Sequence, residues 1–217
     1  STMYQPNGNV LGGKITNRNY DVVMLVESEK GSQYLRGRVK DFYTGYSWNS
    51  TSKNYANRQN LSQEGRTSFP MRVYLTKIQT ATIFAPIGVK SIDLNINKIF
   101  MNEDELFYYN RDSLERRLEY YDLEIYVELF NRATTNDLSK YLQTPDVLSE
   151  RVRDISSVVT ANTVTASEKI EEIKRYLTNN YKYTLFVETI PYETEFVDHF
   201  LFEEKQGYCT YFATAMA

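Results

Sequence analysis

The chain contains a single cysteine, Cys209, and a single histidine, His199, both near its C-terminal end. Cys209 lies in the run Gln206-Gly207-Tyr208-Cys209-Thr210-Tyr211-Phe212-Ala213, ahead of Thr214, Ala215, Met216 and Ala217. Gly207 permits a tight turn, and the small apolar residues that follow suit a buried helix. Cys209 is therefore expected in the first turn of that helix. At such a place unpaired N–H groups and the helix dipole favour a thiolate, the form that attacks carbonyl carbon. The same N–H groups suit a developing oxyanion. The plain alternative for a lone cysteine is a small buried apolar side chain. A disulfide within the chain is excluded by the cysteine count, and neither a Cys/His zinc cluster nor a cofactor is expected.

The elements that must position Cys209 read from periodicity. Thr144-Pro145-Asp146 reads as a helix start, since Thr caps, Pro suits the first helical position and Asp favours the positive end. Leu148, Val152, Ile155 and Val159 follow at helical spacing. Thr165-Ala166-Ser167-Glu168 fits a capping box and opens a second helix with the stripe Ala166, Ile170, Ile173 and Leu177, ended by Asn179-Asn180. Lys182 to Phe186 reads as extended, residues 187–197 as a loop, and Gly207 onward as a third helix.

Upstream of residue 132 the pattern is one of short strands. Val22 to Val26 reads as a short strand of the buried type. Tyr34 to Tyr43 leads into a turn at Thr44-Gly45 and then Tyr46-Ser47-Trp48. Residues 49–68 read as a polar loop. Met71, Val73 and Leu75 alternate with polar positions, as do Ile92, Leu94 and Ile96. Tyr121, Leu123, Ile125, Val127 and Leu129 form the clearest alternation. Many short strands without a long helix predict an antiparallel sheet or sandwich. The change of period places a domain boundary at residues 131–136, which gives a β-rich unit over 1–132 and a helical unit over 133–217 in an α+β chain. The aromatic cluster Tyr43, Tyr46 and Trp48 is expected to be the packed face of a hairpin rather than a recognition surface. The charge run Arg111 to Glu119 is expected to be a solvated connection.

With 217 residues the chain is long enough for one large domain or two modest ones. Its 19 Tyr and 11 Phe favour strands. A net charge of −3 gives no electrostatic reason to expect nucleic acid. No apolar run is long enough to span a bilayer, which needs ~20 residues. The start shows no signal-peptide pattern, which by itself assigns no compartment.

Gly207-Tyr208-Cys209, followed by an aromatic residue and Phe212-Ala213, resembles the nucleophile motif of the transglutaminase-like superfamily, which has a papain-like fold. Phe200-Leu201-Phe202 and Tyr181-Lys182-Tyr183 share the resemblance. Leu11-Gly12-Gly13, Tyr34-Leu35-Arg36-Gly37, the stretch from Tyr43 to Trp48, and Tyr141-Leu142-Gln143-Thr144-Pro145 resemble the region preceding the core in the bacterial membrane-anchored branch. The resemblance implies that residues 133–217 are the helical N-terminal part of such a core, with Cys209 as nucleophile. It implies attack on an amide, a thioester, and acyl transfer to an amine or to water. It also implies an extracytoplasmic location at the cell membrane, with anchoring helices outside this chain. The expected substrate is a protein or peptide, a cell-wall peptide included. In that family the base His and its orienting Asp follow the nucleophile, so both are expected beyond residue 217 and the chain alone is expected to be inactive. His199 precedes Cys209, the wrong order, and with Asp198 is assigned a local packing role. Phe212 and Met216 are expected to be poorly shielded, with self-association through the last helix as the consequence. The rival readings are a papain-like peptidase or amidase and a non-enzymatic extracytoplasmic binding module.

Overall fold

The computed structural model describes residues 2–3, 11–13, 20–52, 56–57, 66–110, 117–127, 139–191 and 193–217. The chain is α+β and forms two compact units. Residues 1–6, 19–40 and 50–137 make the first, and 7–18, 41–49 and 138–217 the second. A single cut near residue 132 is therefore corrected. Two short upstream segments belong with the helical unit, because long-range packing overrides the local strand pattern that assigned them elsewhere.

The first unit is built on a four-stranded antiparallel sheet in the order Met24–Ser28, Ser68–Leu75, Tyr120–Tyr126, Val89–Ile92. The two central strands pair Tyr121 with Val73, Leu123 with Met71 and Ile125 with Phe69. Every second residue on each therefore points to one face, and that face is buried: Met71, Val73 and Leu75 on one strand, Tyr121, Leu123 and Ile125 on the other. A second sheet orders Ala56–Asn57, Ile99–Met101, Phe107–Tyr109 and Thr82–Ile83, and Ile83, Ile99 and Phe107 join the same core. On the opposite face of the first sheet Arg72 makes a two-pronged bond to Asp122, at 2.6 and 2.7 Å.

Three strand assignments change. The strand at Met24–Ser28 is an edge strand with Leu25 and Val26 exposed, not a buried one. Ala56–Asn57 carries a short strand within the stretch assigned as polar loop. The Ile92-Leu94-Ile96 alternation is broken after Ile92 by a 3₁₀ turn at Ile96–Lys98, capped by the Asn95 side chain. Short polar side chains that bond their own backbone compete with strand pairing here. Residues 128–138 and 111–116, on which the end of the last strand and most of the charge run fall, lie outside the described residues.

The second unit contains α1 (Glu150–Val159), α2 (Ala166–Asn180), a short α3 (Phe196–Asp198) that continues as a π-helical turn over His199–Glu204, and α4 (Cys209–Met216). The capping box at α2 forms as its sequence predicts. Thr165 accepts from the Glu168 N–H, and Glu168 accepts from the Thr165 N–H. α1 begins at Glu150, with Ser149 at the N-cap position rather than Thr144, because Pro145 starts a turn closed by Leu148 N–H donating to its carbonyl. On α2 the predicted stripe narrows. Leu177 is buried, while Ala166 and Ile170 are exposed. The core consists of Val152, Leu177, Tyr181, Phe196, Phe200 and Tyr211, together with Tyr43 from the upstream hairpin.

Candidate functional site

The approach to Cys209 begins at Lys205, which sits in the left-handed region (φ 54°) and ends the π-helical turn. Gln206–Gly207 then pairs in parallel with Lys182–Tyr183, and Thr184 N–H donates to the Gly207 carbonyl at 2.7 Å. Gly207 is needed for space rather than for a turn. A Cβ there would lie 2.5–2.9 Å from the Tyr211 side chain. The tight-turn role assigned to Gly207 is thus corrected: the left-handed residue is Lys205.

Cys209 is the first residue of α4 and is exposed. The residue before it, Tyr208, is extended, and no side chain caps the helix. The N–H groups of Tyr211 and Phe212 donate back to the Tyr208 carbonyl at 2.8 and 3.4 Å. Those of Cys209 and Thr210 stand ahead of that intrahelical pattern and face the start of the helix. Tyr208 and Tyr211 are both buried. Burial pushes the Tyr208 hydroxyl up, reinforced by the neighbouring Cys209. Burial, with Tyr208 and Glu204 nearby, pushes Tyr211 up to about 12. Both phenols are thus neutral near neutral pH; the Tyr208 hydroxyl donates to the Gly13 carbonyl, while the buried Tyr211 hydroxyl has no hydrogen-bond partner among the described residues.

Neither Asp198 nor His199 joins the thiol. Asp198 accepts from Arg151 Nε at 2.7 Å, from a second Arg151 nitrogen and from the Ser149 hydroxyl. The Arg151 hydrogen bonds hold its carboxyl below the usual range. Its work is to tie α3 to the start of α1. His199 opens the π-helical turn, and among the described residues no hydrogen bond or ion pair joins it to Cys209.

The upstream segments meet α3, α4 and the stretch before α1. Residues 42–43 and 48–49 form the expected hairpin, with Tyr43 opposite Trp48 and their rings 5.0 Å apart. Tyr43 is buried and its hydroxyl meets Glu195, which also accepts from the N–H groups of Val197 and Asp198 and so caps α3. Burial, and then Glu195, push the Tyr43 phenol well above its ordinary value. Gln143 pairs with the Tyr43 backbone like an extra strand, accepting its N–H at 2.9 Å and donating to its carbonyl at 3.0 Å. Gly45 (φ +90°) gives its carbonyl to Phe196 N–H at 2.8 Å, and a Cβ there would meet Val147 at 2.4 Å. Trp48 Nε1–H donates to the Thr214 hydroxyl on α4 at 3.2 Å. A cleft of about 610 Å³ in this unit is lined by Leu11 and Tyr46 from the upstream segments and by Ile190, Pro191, Glu193 and Phe196.

The ties from Trp48, Gln143 and Gly13 to the core escape sequence reasoning, because nothing in a periodic pattern marks a hydrogen bond across such separations. The glycines Gly12 and Gly45, and the aromatic cluster itself, were the available signals.

Residues 153–217 match the family model described as the transglutaminase-like superfamily. That match falls on the C-terminal region that carries Cys209. The chain is 26% identical over 215 residues to the uncharacterized protein YebA of Bacillus subtilis strain 168, a match covering 86% of this chain and 29% of that protein. It therefore spans less than a third of that relative. Its fold is that of the periplasmic domain of TgpA from Pseudomonas aeruginosa, with a TM-score of 0.69 at 18% identity, covering 92% of this chain and 69% of that one. The ethylmercury-bound form of the same domain matches with a TM-score of 0.65 at 19% identity, covering 92% and 71%. Among the described residues no helix is long and apolar enough to cross a membrane.

Proposed function

We propose that this chain supplies the nucleophile-bearing part of an extracytoplasmic transglutaminase-like acyltransferase, with Cys209 as the nucleophile. The observation that carries this reading is the exposed Cys209 at the first position of an uncapped helix, inside the region that matches the superfamily. The thiolate attacks the carbonyl carbon of a protein or peptide amide. A C–S bond forms, and the carbonyl oxygen takes the negative charge. The N–H groups of Cys209 and Thr210 are placed to hold that charge, a contribution worth ~3 kcal/mol per donor where it has been measured by removal. When the C–N bond breaks, the leaving amine takes up a proton. The resulting thioester passes its acyl group to an amine or to water.

Proton transfer to the leaving amine needs a general acid, and this contributes ~10²–10⁴-fold in such reactions. Since neither His199 nor Asp198 is bonded to the thiol, we assign the base and its orienting acid to parts of the protein outside this chain. The isolated chain is then expected to lack turnover. The likeness to a domain described as periplasmic supports the extracytoplasmic placement. Membrane anchoring we assign, on the family resemblance alone, to segments outside this chain.

The test is incorporation of a labelled primary amine into a glutamine-bearing protein, alongside amide hydrolysis, by the longer protein and its Cys209→Ala variant. Labelled product that disappears in Cys209→Ala supports the transferase, and acid product with the same dependence shifts the reading to an amidase. Undiminished product in Cys209→Ala removes Cys209 from the chemistry.

A further inference from the structure

We infer that the hairpin at residues 41–49 and the stretch Leu11–Gly13 are a working part of the nucleophile's support, with Trp48 and Thr214 as positioning residues for Cys209. This rests on the reading of Cys209 as the thiol that accepts the acyl group.

α4 has eight residues and no side-chain cap, and a helix that short is not stable by itself in water. What holds it is distributed along one side. Tyr208, Tyr211 and Thr214 recur every third residue and so share a face, and all three are buried. Each meets an upstream segment. The Tyr208 hydroxyl donates to the Gly13 carbonyl at 3.3 Å. The Tyr211 hydroxyl abuts Gly12 so closely that a Cβ at Gly12 would sit 3.1 Å from it and 2.7 Å from Ile190. The Thr214 hydroxyl accepts from Trp48. Cys209 lies off this face and is exposed.

Ties at both ends of one face set the rotation of the helix about its own axis. That rotation decides where the Cys209 sulfur points and where the first-turn N–H groups aim. The upstream segments therefore control the geometry that acyl attack needs without approaching the thiol themselves. Leu11 and Tyr46 also line the cleft in this unit, so the same segments present surface to an incoming chain.

The experiment compares two reactions of Cys209 in this chain. In the first, the thiolate attacks p-nitrophenyl acetate. A C–S bond forms, the ester C–O bond breaks, p-nitrophenolate leaves with the electron pair, and Cys209 carries an acetyl thioester. In the second, iodoacetamide alkylates the thiol with loss of iodide, which develops no oxyanion. The ratio of the two rates, divided by the same ratio for N-acetylcysteine, reports carbonyl-oxygen stabilisation and is insensitive to mere exposure of the sulfur. The wild-type ratio is expected above unity. Trp48→Phe and Thr214→Val should each lower it about fivefold, the worth of one net hydrogen bond, and the double variant should lower it no further. Thr214→Ser, which keeps the hydroxyl, should retain the wild-type ratio. Circular dichroism establishes that each variant is folded; if Thr214→Val is not, Trp48→Phe carries the comparison. A wild-type ratio above unity that survives Trp48→Phe overturns the positioning role and leaves the nucleophile reading standing. A wild-type ratio of unity overturns both.

Discussion

Substituting Gln143→Glu changes one atom's hydrogen-bonding character at a place where two backbone groups depend on it. In the native chain the Gln143 amide accepts from Tyr43 N–H at 2.9 Å and donates to Tyr43 C=O at 3.0 Å. The ionised variant keeps the acceptor and turns the donor into a second acceptor facing a carbonyl. The lost bond is worth about 1 kcal/mol, and a part-buried carbonyl left facing a like partner adds about 1–2 kcal/mol. The expected destabilisation at pH 7 is therefore about 2–3 kcal/mol, or roughly 4–12 °C for a chain of this size. The protonated carboxyl can donate again, so the folded state holds the proton more tightly than the unfolded chain, where the group titrates near ~4.3. Relative to wild type, the variant's deficit should be smallest below that value and grow as pH rises through the raised folded-state value. Trp48 is the only tryptophan of the chain and stands opposite Tyr43 in the hairpin, so its fluorescence during urea unfolding reads this unit directly. A variant as stable as wild type at pH 7, or a deficit that does not shrink between pH 7 and 4, would refute the reciprocal pairing.

Three further outcomes follow from the geometry. Gly45→Ala places a Cβ 2.4 Å from Val147 at a left-handed φ, and should cost about 2–4 kcal/mol by the same fluorescence assay, with strain and overpacking both contributing. Asp198 is held ionised by Arg151, so the pair's contribution is present above the unfolded carboxylate value of ~3.9 and fades as pH falls through the lower folded value. Arg151→Met should therefore flatten the loss of stability on acidification, measured by urea midpoints at a series of pH values. Ethylmercury, which bonds thiolates, should take up one equivalent on the native chain and none on Cys209→Ala, as mass spectrometry would show; protection of the native thiol would contradict its exposure.

Local chemistry was legible and distant chemistry was not. The capping box at Thr165, the buried alternation Met71-Val73-Leu75 and the helical start at Cys209 each rest on neighbours within a few residues, and each stands in the structure. The π-helical turn at His199–Glu204 went unread because its apolar run Phe200-Leu201-Phe202 has neither period two nor a clear helical stripe. The start of α1 was misplaced because Thr144-Pro145-Asp146 suits a turn as well as a helix, and Ser149 decides between them only once Leu148 bonds back to Pro145. The grouping of 41–49 with the helical unit depends on Trp48, Tyr43 and Gly45 meeting Thr214, Glu195 and Phe196, pairings that no local pattern announces.

That grouping also sets a clock on synthesis. Tyr208 bonds to a residue 195 positions earlier, and Trp48 to one 166 positions later. At a ribosomal pace of ~5–20 residues per second, Gly13 emerges roughly 10–40 s before its partner exists. During that interval Gly12, Gly13 and Trp48 lack the helix they will meet. The intervening β unit, whose strands pair among themselves, can fold first. The hairpin must then wait until α4 is synthesised, a window in which a prolonged pause near residue 208 would have its largest effect on yield.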